Sequence, residues 1–360
     1  MLTRMQLVLD SIKFMINSLV RSNLRNFKPY SSARSLYQKG VFMDANENSL
    51  GSVISSEYSS ELNRYPDPLS MALRRALGEF LTVSEKNIFV GSGSDEIIDL
   101  LIRLFVEQDE EIIVEEPSYG MYKVAAEVAG VKVKSVLLKE DFQIDISNLL
   151  SQITSKTKII FLCSPNSPTG ALISFEEVEN ICKKFNGVVV VDEAYIEFTS
   201  KPSLVNQISS LENLIILRTF SKAWGLAGIR VGYAVAQETI VDYLNKIKLP
   251  YNLNRISSKL AIEALGEYQK MLEFREIILT EREKLVNNLA NLGFKVFSSE
   301  ANFLLINYPN ASGVAKKLAL EYGIIIRDFG SKPMLKDCVR ISVGSPEQND
   351  LLIKSLKKIL

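Results

Sequence analysis

The stretch "GVVVVDEAY", residues 187–195, decides the fold. Four consecutive valines show no alternation of polar and apolar positions, so this segment fits a strand buried on both faces of a sheet. Reading outward, the same texture recurs. Upstream lie "NIFVGS" (87–92) with "SDEIIDLLIRLF" (94–105), "EIIVEEP" (111–117) with "YGMYKVAAEVAG" (119–130), "VKVKSVLL" (131–138), and "TKIIFLCSP" (157–165) with "FEEVENICKKF" (175–185). Downstream lie "LIILRTFS" (214–221) and "GYAVA" (232–236). Short β-rich runs alternating with longer amphipathic ones predict an α/β domain with a mainly parallel sheet, flanked by helices and spanning residues 51–254.

Beyond residue 255 the pattern changes. The charged stretch "KLAIEALGEYQKMLEFREIILTEREKLVNNLANLG" (259–293) reads as helical, and "FKVFSSEANFLLINY" (294–308), "GIIIRDFG" (323–330) and "CVRISVG" (338–344) follow it. These predict a smaller α+β domain over residues 255–360. At the other end, Leu7, Ile12, Met15, Ile16 and Leu19 recur at helical spacing, with Asp10 and Lys13 between them. An amphipathic helix packed on the body is the expectation there, not a targeting signal.

Composition narrows the chemistry. Lysine plus arginine and aspartate plus glutamate both number 42 among 360 residues, and no basic block stands out. Nucleic-acid binding therefore has no electrostatic footprint. No run reaches the roughly 20 apolar residues of a membrane span. Cys163, Cys182 and Cys338 are widely separated and form no CxxC, so the chain reads as cytoplasmic and reduced. There is no histidine, which excludes a Ser-His-Asp triad and any histidine-ligated zinc site. No metal site is expected, and proton transfer falls to Lys, Tyr, Asp, Glu, Cys or a cofactor.

Four segments could carry chemistry. In "VGSGSDEII" (90–98) a strand end turns into a helix start, where the backbone amides of Gly93, Ser94 and Asp95 could cradle a phosphate; a plain capped turn reads the same way. Glu96 stands where a dinucleotide fingerprint needs its third glycine. In "FLCSPNSPTG" (161–170) a loop ends a buried strand, and Asn166 could hydrogen-bond a ring hydroxyl, although turn chemistry alone would select the same residues. At the end of the valine run, Asp192 needs a partner, which a protonated pyridine nitrogen would supply, and Tyr195 is close enough in sequence to reach the same ring. A strand-end cap is the alternative.

The fourth segment is "RTFSKAWGLAGIRVGYAV" (218–235), which sets Lys222 beside Ser221 and a small-residue run, with Arg230 following. A lysine near positive charge and out of bulk water has a lowered pKa and becomes a nucleophile, while Ser221 and Arg230 suit a phosphate. One ligand satisfies all four segments: a phosphate, a ring nitrogen, a ring oxygen and an aldehyde belong together in pyridoxal 5'-phosphate, with Lys222 as its imine lysine and Asp192 as its pyridinium partner.

In this order the motifs resemble those of the fold-type I pyridoxal-phosphate aminotransferases, from about residue 20 to the end. "LRNFKPYSSAR" (24–34), "DANENS" (44–49), "NRYPDP" (63–68), "PSYGMY" (117–122), "VDEAYIEF" (191–198), "GIIIRDFG" and "CVRISVG" resemble the histidinol-phosphate aminotransferases within that family. The resemblance implies the fold-type I architecture and transamination between L-histidinol phosphate and the glutamate/2-oxoglutarate pair. It also implies a homodimer with shared active sites, in which residues 1–50 pack with the small domain and the partner subunit.

For individual residues, the resemblance implies Tyr119 stacked on the pyridine ring, and Asn166 and Tyr195 on the ring oxygen. It puts Ser221 and Arg230 in the phosphate cup with the 93–95 amides, and Tyr65 on the neighbouring subunit's cofactor phosphate. Tyr30, Asn46, Arg327 and Arg340 fall on the substrate side. Arg327 could equally be ion-paired with its neighbour Asp328. The chain departs from the family pattern at Ser49, Leu50, Ser167, where a second asparagine is usual, and Trp224. Other readings on the same fold are an aromatic amino-acid aminotransferase and a threonine-phosphate decarboxylase. A non-catalytic nucleotide-binding α/β protein is the reading from another class.

Overall fold

The computed structural model describes residues 15–28, 45, 46, 48, 52–54 and 62–360. Its core is a seven-stranded sheet in the order β1-β7-β6-β5-β4-β2-β3. The strands are β1 (Ile88–Gly91), β2 (Glu111–Glu116), β3 (Lys132–Leu137), β4 (Thr157–Cys163), β5 (Val188–Asp192), β6 (Leu214–Thr219) and β7 (Gly232–Val235). Strands β3, β2, β4, β5 and β6 run parallel, while β7 is antiparallel to both β6 and β1. The valine run is β5, at the centre, with all five residues buried.

Alternate residues of β5 feed two separate apolar clusters. Val189 and Val191 pack on one face of the sheet, Val188 and Val190 on the other. That division is why the strand has no polar face: each valine has a helical layer to bury against. One layer includes α1 (Met71–Leu81), whose Leu73 and Leu77 are buried; the other includes α2 (Ser94–Phe105) and α3 (Met121–Val128). Ile16 and Val20 pack into the second layer, with Met15 to Leu19 helical and Arg21 tied to Glu107 at 3.1 Å. This matches the periodicity read around Met15, Ile16 and Leu19; Leu7 and Ile12 lie outside the described residues.

The charged stretch after residue 255 forms two helices, α7 (Arg255–Gly266) and α8 (Tyr268–Asn291), rather than one, following α4 (Ile146–Ser151), α5 (Phe175–Lys184) and α6 (Glu238–Ile247). The break falls at Gly266, a poor helix former, and Glu267, whose φ −96° and ψ 26° leave the helical region. A second, antiparallel sheet has the order β10-β11-β9-β8, built from β8 (Lys295–Val296), β9 (Phe303–Asn307), β10 (Arg327–Asp328) and β11 (Cys338–Ser342). It packs with α9 (Ala311–Tyr322) and α10 (Pro346–Ile359) around its own apolar cluster. Among the described residues, no helix is long and apolar enough to cross a membrane.

The C-terminal ends of β4, β5 and β6 open on one side of the large sheet, where open α/β sheets carry ligands. Close approach fixes that edge. A Cβ on Gly232 would lie 2.3 Å from the Ser94 backbone nitrogen, so β7 and the start of α2 touch backbone to backbone. Gly232→Ala is expected to push the α2 N-terminus away. The check is cofactor retention after gel filtration, which should fall by about tenfold while the far-ultraviolet spectrum changes little.

Candidate active site

Asp192 is 3% exposed at the end of β5. Its Oδ2 accepts from the Tyr122 hydroxyl at 2.8 Å and its Oδ1 from the Ala194 amide at 3.1 Å. Burial is the largest influence on this carboxyl and pushes its pKa up to about 6, against the pull of those donors and the nearby Lys222. A carboxylate held here at neutral pH lacks a full countercharge. Tyr122 stacks on Phe161 of β4, ring centroids 4.9 Å apart, and meets Tyr119 edge-on at 5.5 Å.

Lys222 follows β6 and borders the same cavity as Asp192, Tyr119, Tyr195, Ser94, Asp95, Ser221 and Arg230, with Cys163 and Thr219 completing the walls. Its ammonium lies 5.3 Å from the centre of the Tyr195 ring. The side chain is open to the cavity, yet dense surroundings and then the charge of Arg340 hold its pKa below the usual lysine value. Burial raises the Tyr195 hydroxyl to about 12, so it is a donor at neutral pH. Burial, followed by Asp95, raises Tyr119 further; its hydroxyl donates to Asp95 Oδ1 at 2.9 Å.

One wall is built for an anion. Helix α2 starts at Ser94 with no side-chain cap, so its first amides face the cavity unspent. Arg230 has φ +53°, in the left-handed region that side chains adopt at a cost, and this turns its guanidinium back over the wall. Its Nη2 lies 3.5 Å from Asp95 Oδ2, and its Nη1 donates to Ser221 Oγ at 3.5 Å. Gly93 does not supply the amide read from the sequence: its N–H donates to the Gly91 carbonyl at 2.9 Å. What Gly93 supplies is space, since a Cβ there would meet Arg230 Nη2 at 2.7 Å.

Asn166 also differs from expectation. Its amide donates to Glu115 Oε1 at 2.9 Å and to Ser118 Oγ at 3.3 Å, which ties it beneath the loop instead of aiming it at the cavity. Glu115 also accepts from the Cys163 amide at 2.8 Å, and burial pushes its carboxyl up to about 7. The next residue, Ser167, faces the site: its Oγ accepts from Arg340 Nη1 at 2.7 Å. This is the position where the sequence departs from the family's second asparagine.

A second cavity, about 600 Å³, adjoins Tyr119 and Ser167 and is lined by Arg327, Phe329 and Arg340. Arg327 of β10 pairs in register with Arg340 of β11. The Arg340 guanidinium carbon sits 4.9 Å from the Phe303 ring centre, and both arginines lie against Phe329, at 5.9 Å and 5.4 Å. Asp328 does not pair with Arg327; its Oδ1 accepts from the Gly330 amide at 2.8 Å. Among the described residues neither arginine has a carboxylate partner. Two like charges directly opposite on paired strands repel, by about 0.2–1 kcal/mol. Arg327→Gln should therefore raise the melting temperature of the ligand-free protein by about 1–2 °C while weakening anionic substrates, as calorimetry and steady-state kinetics on one preparation would reveal.

Tyr65 and Asn46 do not join Lys222. They line a separate cavity of about 520 Å³ with Tyr251 and Arg255, and Tyr65 stacks on Tyr251 at 4.5 Å. Tyr30, Ser49 and Leu50 lie outside the described residues. Trp224 packs against Phe220 and Phe80.

The family model "Aminotransferase class I and II" matches residues 40–356. The chain belongs to this aminotransferase family. Among curated relatives, it is 42% identical to histidinol-phosphate aminotransferase of Parabacteroides distasonis, over 96% of this chain and 99% of that protein. It is also 42% identical to the enzyme of that name from Christiangramia forsetii, over 96% and 98%. Among solved structures, histidinol-phosphate aminotransferase from Sinorhizobium meliloti, in complex with pyridoxal-5'-phosphate, superposes with a TM-score of 0.79 at 26% identity, covering 88% of this chain and 90% of that one. The Clostridium acetobutylicum enzyme of the same name gives 0.77 at 30%, covering 83% and 91%.

Sequence reasoning gave no site role to four residues of this aminotransferase's site. Tyr122, Cys163, Thr219 and Ser167 all lie in the quoted motifs, but Tyr119 precedes the helix that begins at Met121, so helical spacing offered no signal tying Tyr122 to it.

Proposed function

We propose that this aminotransferase transfers an amino group between L-histidinol phosphate and 2-oxoglutarate, with pyridoxal 5'-phosphate as cofactor. The observation that carries the reading is the pairing of a buried, undercompensated Asp192 with a charge-disfavoured Lys222 across one cavity, beside an unpaired Arg327–Arg340 couple. When bound, the cofactor supplies an aldehyde for Lys222 and a cationic ring that withdraws electrons from the substrate carbon.

The donor set fits such a group. Asp192 would hold a ring N–H positive, Tyr195 would donate to the ring oxygen, and Tyr119 would cover the ring face. The Ser94 and Asp95 amides, Ser221 and Arg230 would seat the phosphate. Lys222 Nζ, its pKa lowered by burial and then by Arg340, would take the proton from the substrate carbon and return it. Arg327 and Arg340 orient the substrate's distal anion, and their planar forks accept phosphate and carboxylate alike. A cytoplasmic homodimer fits this reading, with Tyr65 and Asn46 at the other cavity serving a partner's site.

The test is an absorbance spectrum of the purified protein with cofactor, before and after adding L-histidinol phosphate without an oxo acid. The visible band of the lysine-bound cofactor is expected to convert stoichiometrically to that of the amine form. A band that ignores this substrate but responds to an aromatic amino acid or to threonine phosphate would reject the substrate. Absence of any band after adding cofactor would reject the site.

A further inference from the structure

The 600 Å³ cavity holds a third cation that the reading above leaves without a role. Lys332 lines it, together with Arg327 and Arg340. Among the described residues, the Lys332 ammonium has no hydrogen bond or ion pair. The other charges of the cavity are largely spent. Lys123 is paired with Glu116 at 2.5 Å, and Glu115 is engaged below with Cys163 and Asn166. Glu127, at the exposed edge, is one carboxylate set against three cations that have no carboxylate partner among the described residues.

Lys332 is exposed, and an exposed lysine is commonly just solvated. Its backbone, however, is fixed. The Lys332 amide donates to the Phe329 carbonyl at 2.8 Å, the Leu335 amide to the Lys332 carbonyl at 3.2 Å, and the Phe329 amide to the Cys338 carbonyl at 3.1 Å. Leu335 is fully buried in the core of the large sheet, so the turn is pinned on both sides of the lysine. Both arginines lie against the Phe329 ring.

We infer that Lys332 is a specificity-determining residue: with Arg327 and Arg340 it forms a three-cation seat that favours a dianionic phosphomonoester over a carboxylate. A carboxylate carries one charge and two oxygens, which a single guanidinium fork satisfies. A phosphomonoester above its second pKa, about 6, carries nearly two charges and three acceptor oxygens, and it gains from a further point charge that a carboxylate scarcely needs. This inference rests on the substrate reading above.

Lys332→Gln removes the charge at an exposed position and keeps most of the side-chain length. In single-turnover half-reactions of the holoenzyme, the apparent dissociation constant for L-histidinol phosphate should rise on the order of tenfold. The constant for L-glutamate should rise no more than about twofold to threefold, with the maximal rates of both retained. Lys332→Arg should restore most of the loss. Equal weakening of both substrates, or of neither, overturns the inference while wild-type turnover of L-histidinol phosphate leaves the substrate reading intact. Failure of the wild-type enzyme to use L-histidinol phosphate overturns both.

Discussion

Lys222→Ala should lower the rate constant for transamination by at least about four orders of magnitude, the combined loss of a nucleophile and of a general acid/base. The other groups lining the cavity are poorly suited to substitute: the chain has no histidine, burial raises the Cys163 thiol and holds Tyr195 protonated with its pKa at about 12, and Asp95 and Asp192 are engaged by Tyr119, Tyr122 and the Ala194 amide. The fold should be indifferent, because Lys222 makes no ion pair among the described residues and is open to the cavity. Melting curves of the two apoproteins should therefore agree within about 0.5 kcal/mol. Lys222→Arg should be equally inactive despite keeping the charge, since guanidinium cannot give up its proton near neutral pH. Residual activity within a hundredfold of wild type would mean that another group carries the proton. A finer check lies in the acid limb of the pH–rate profile. Burial first and Arg340 second lower the Lys222 pKa, so Arg340→Met should move that limb to higher pH.

The large sheet was legible because its signal is local and redundant. A run such as Val188 to Val191 has no use except as a strand covered on both faces, and each such run is followed by a helix-period segment. Lys222, Asp192 and Arg230 were legible as a set because strand ends of a parallel sheet converge at one edge, so motifs distant in sequence become neighbours. Side-chain direction inside loops was not legible. "SPNSPTG" offers adjacent polar residues Asn166 and Ser167, and only the carboxylate of Glu115, some fifty residues upstream, decides that the asparagine turns inward and the serine faces Arg340. The same holds for Gly93, whose amide closes a local turn. Long-range polar partners decide these orientations, and periodicity carries no trace of them. The register of Arg327 against Arg340 likewise depends on β10 and β11 meeting across the nine-residue connection, 329–337, that holds Lys332, which neither motif discloses alone.

Asp192→Asn should reverse the usual order of stability and activity. The exchange is nearly isosteric: an asparagine Oδ1 can still accept from the Ala194 amide while its Nδ2 donates to the Tyr122 hydroxyl oxygen, so packing around Phe161 survives. What disappears is the charge. Catalysis should fall by about three orders of magnitude, because a neutral amide cannot hold the cofactor's ring nitrogen protonated. The ligand-free protein should gain stability. Burial raises the folded-state pKa of Asp192 to about 6 from 3.8, so the native state binds a proton more readily than the unfolded chain. This carboxyl therefore costs nothing below about pH 4, its cost grows as pH rises from 4 to 6, and it is fully present at pH 7 and above. Asparagine removes that cost, and at pH 7.5 the ligand-free variant should be more stable than wild type by about 2 kcal/mol. Below pH 4 the two should unfold together. With cofactor bound the order should invert, since the wild-type carboxylate then gains its countercharge and the amide does not. Denaturant titrations at pH 4 and 7.5, with and without pyridoxal 5'-phosphate, measure all four states. A variant less stable than wild type at pH 7.5 without cofactor would mean that the Asp192 charge is already compensated by Tyr122, Ala194 and Lys222, and that the site is not strained toward its ligand.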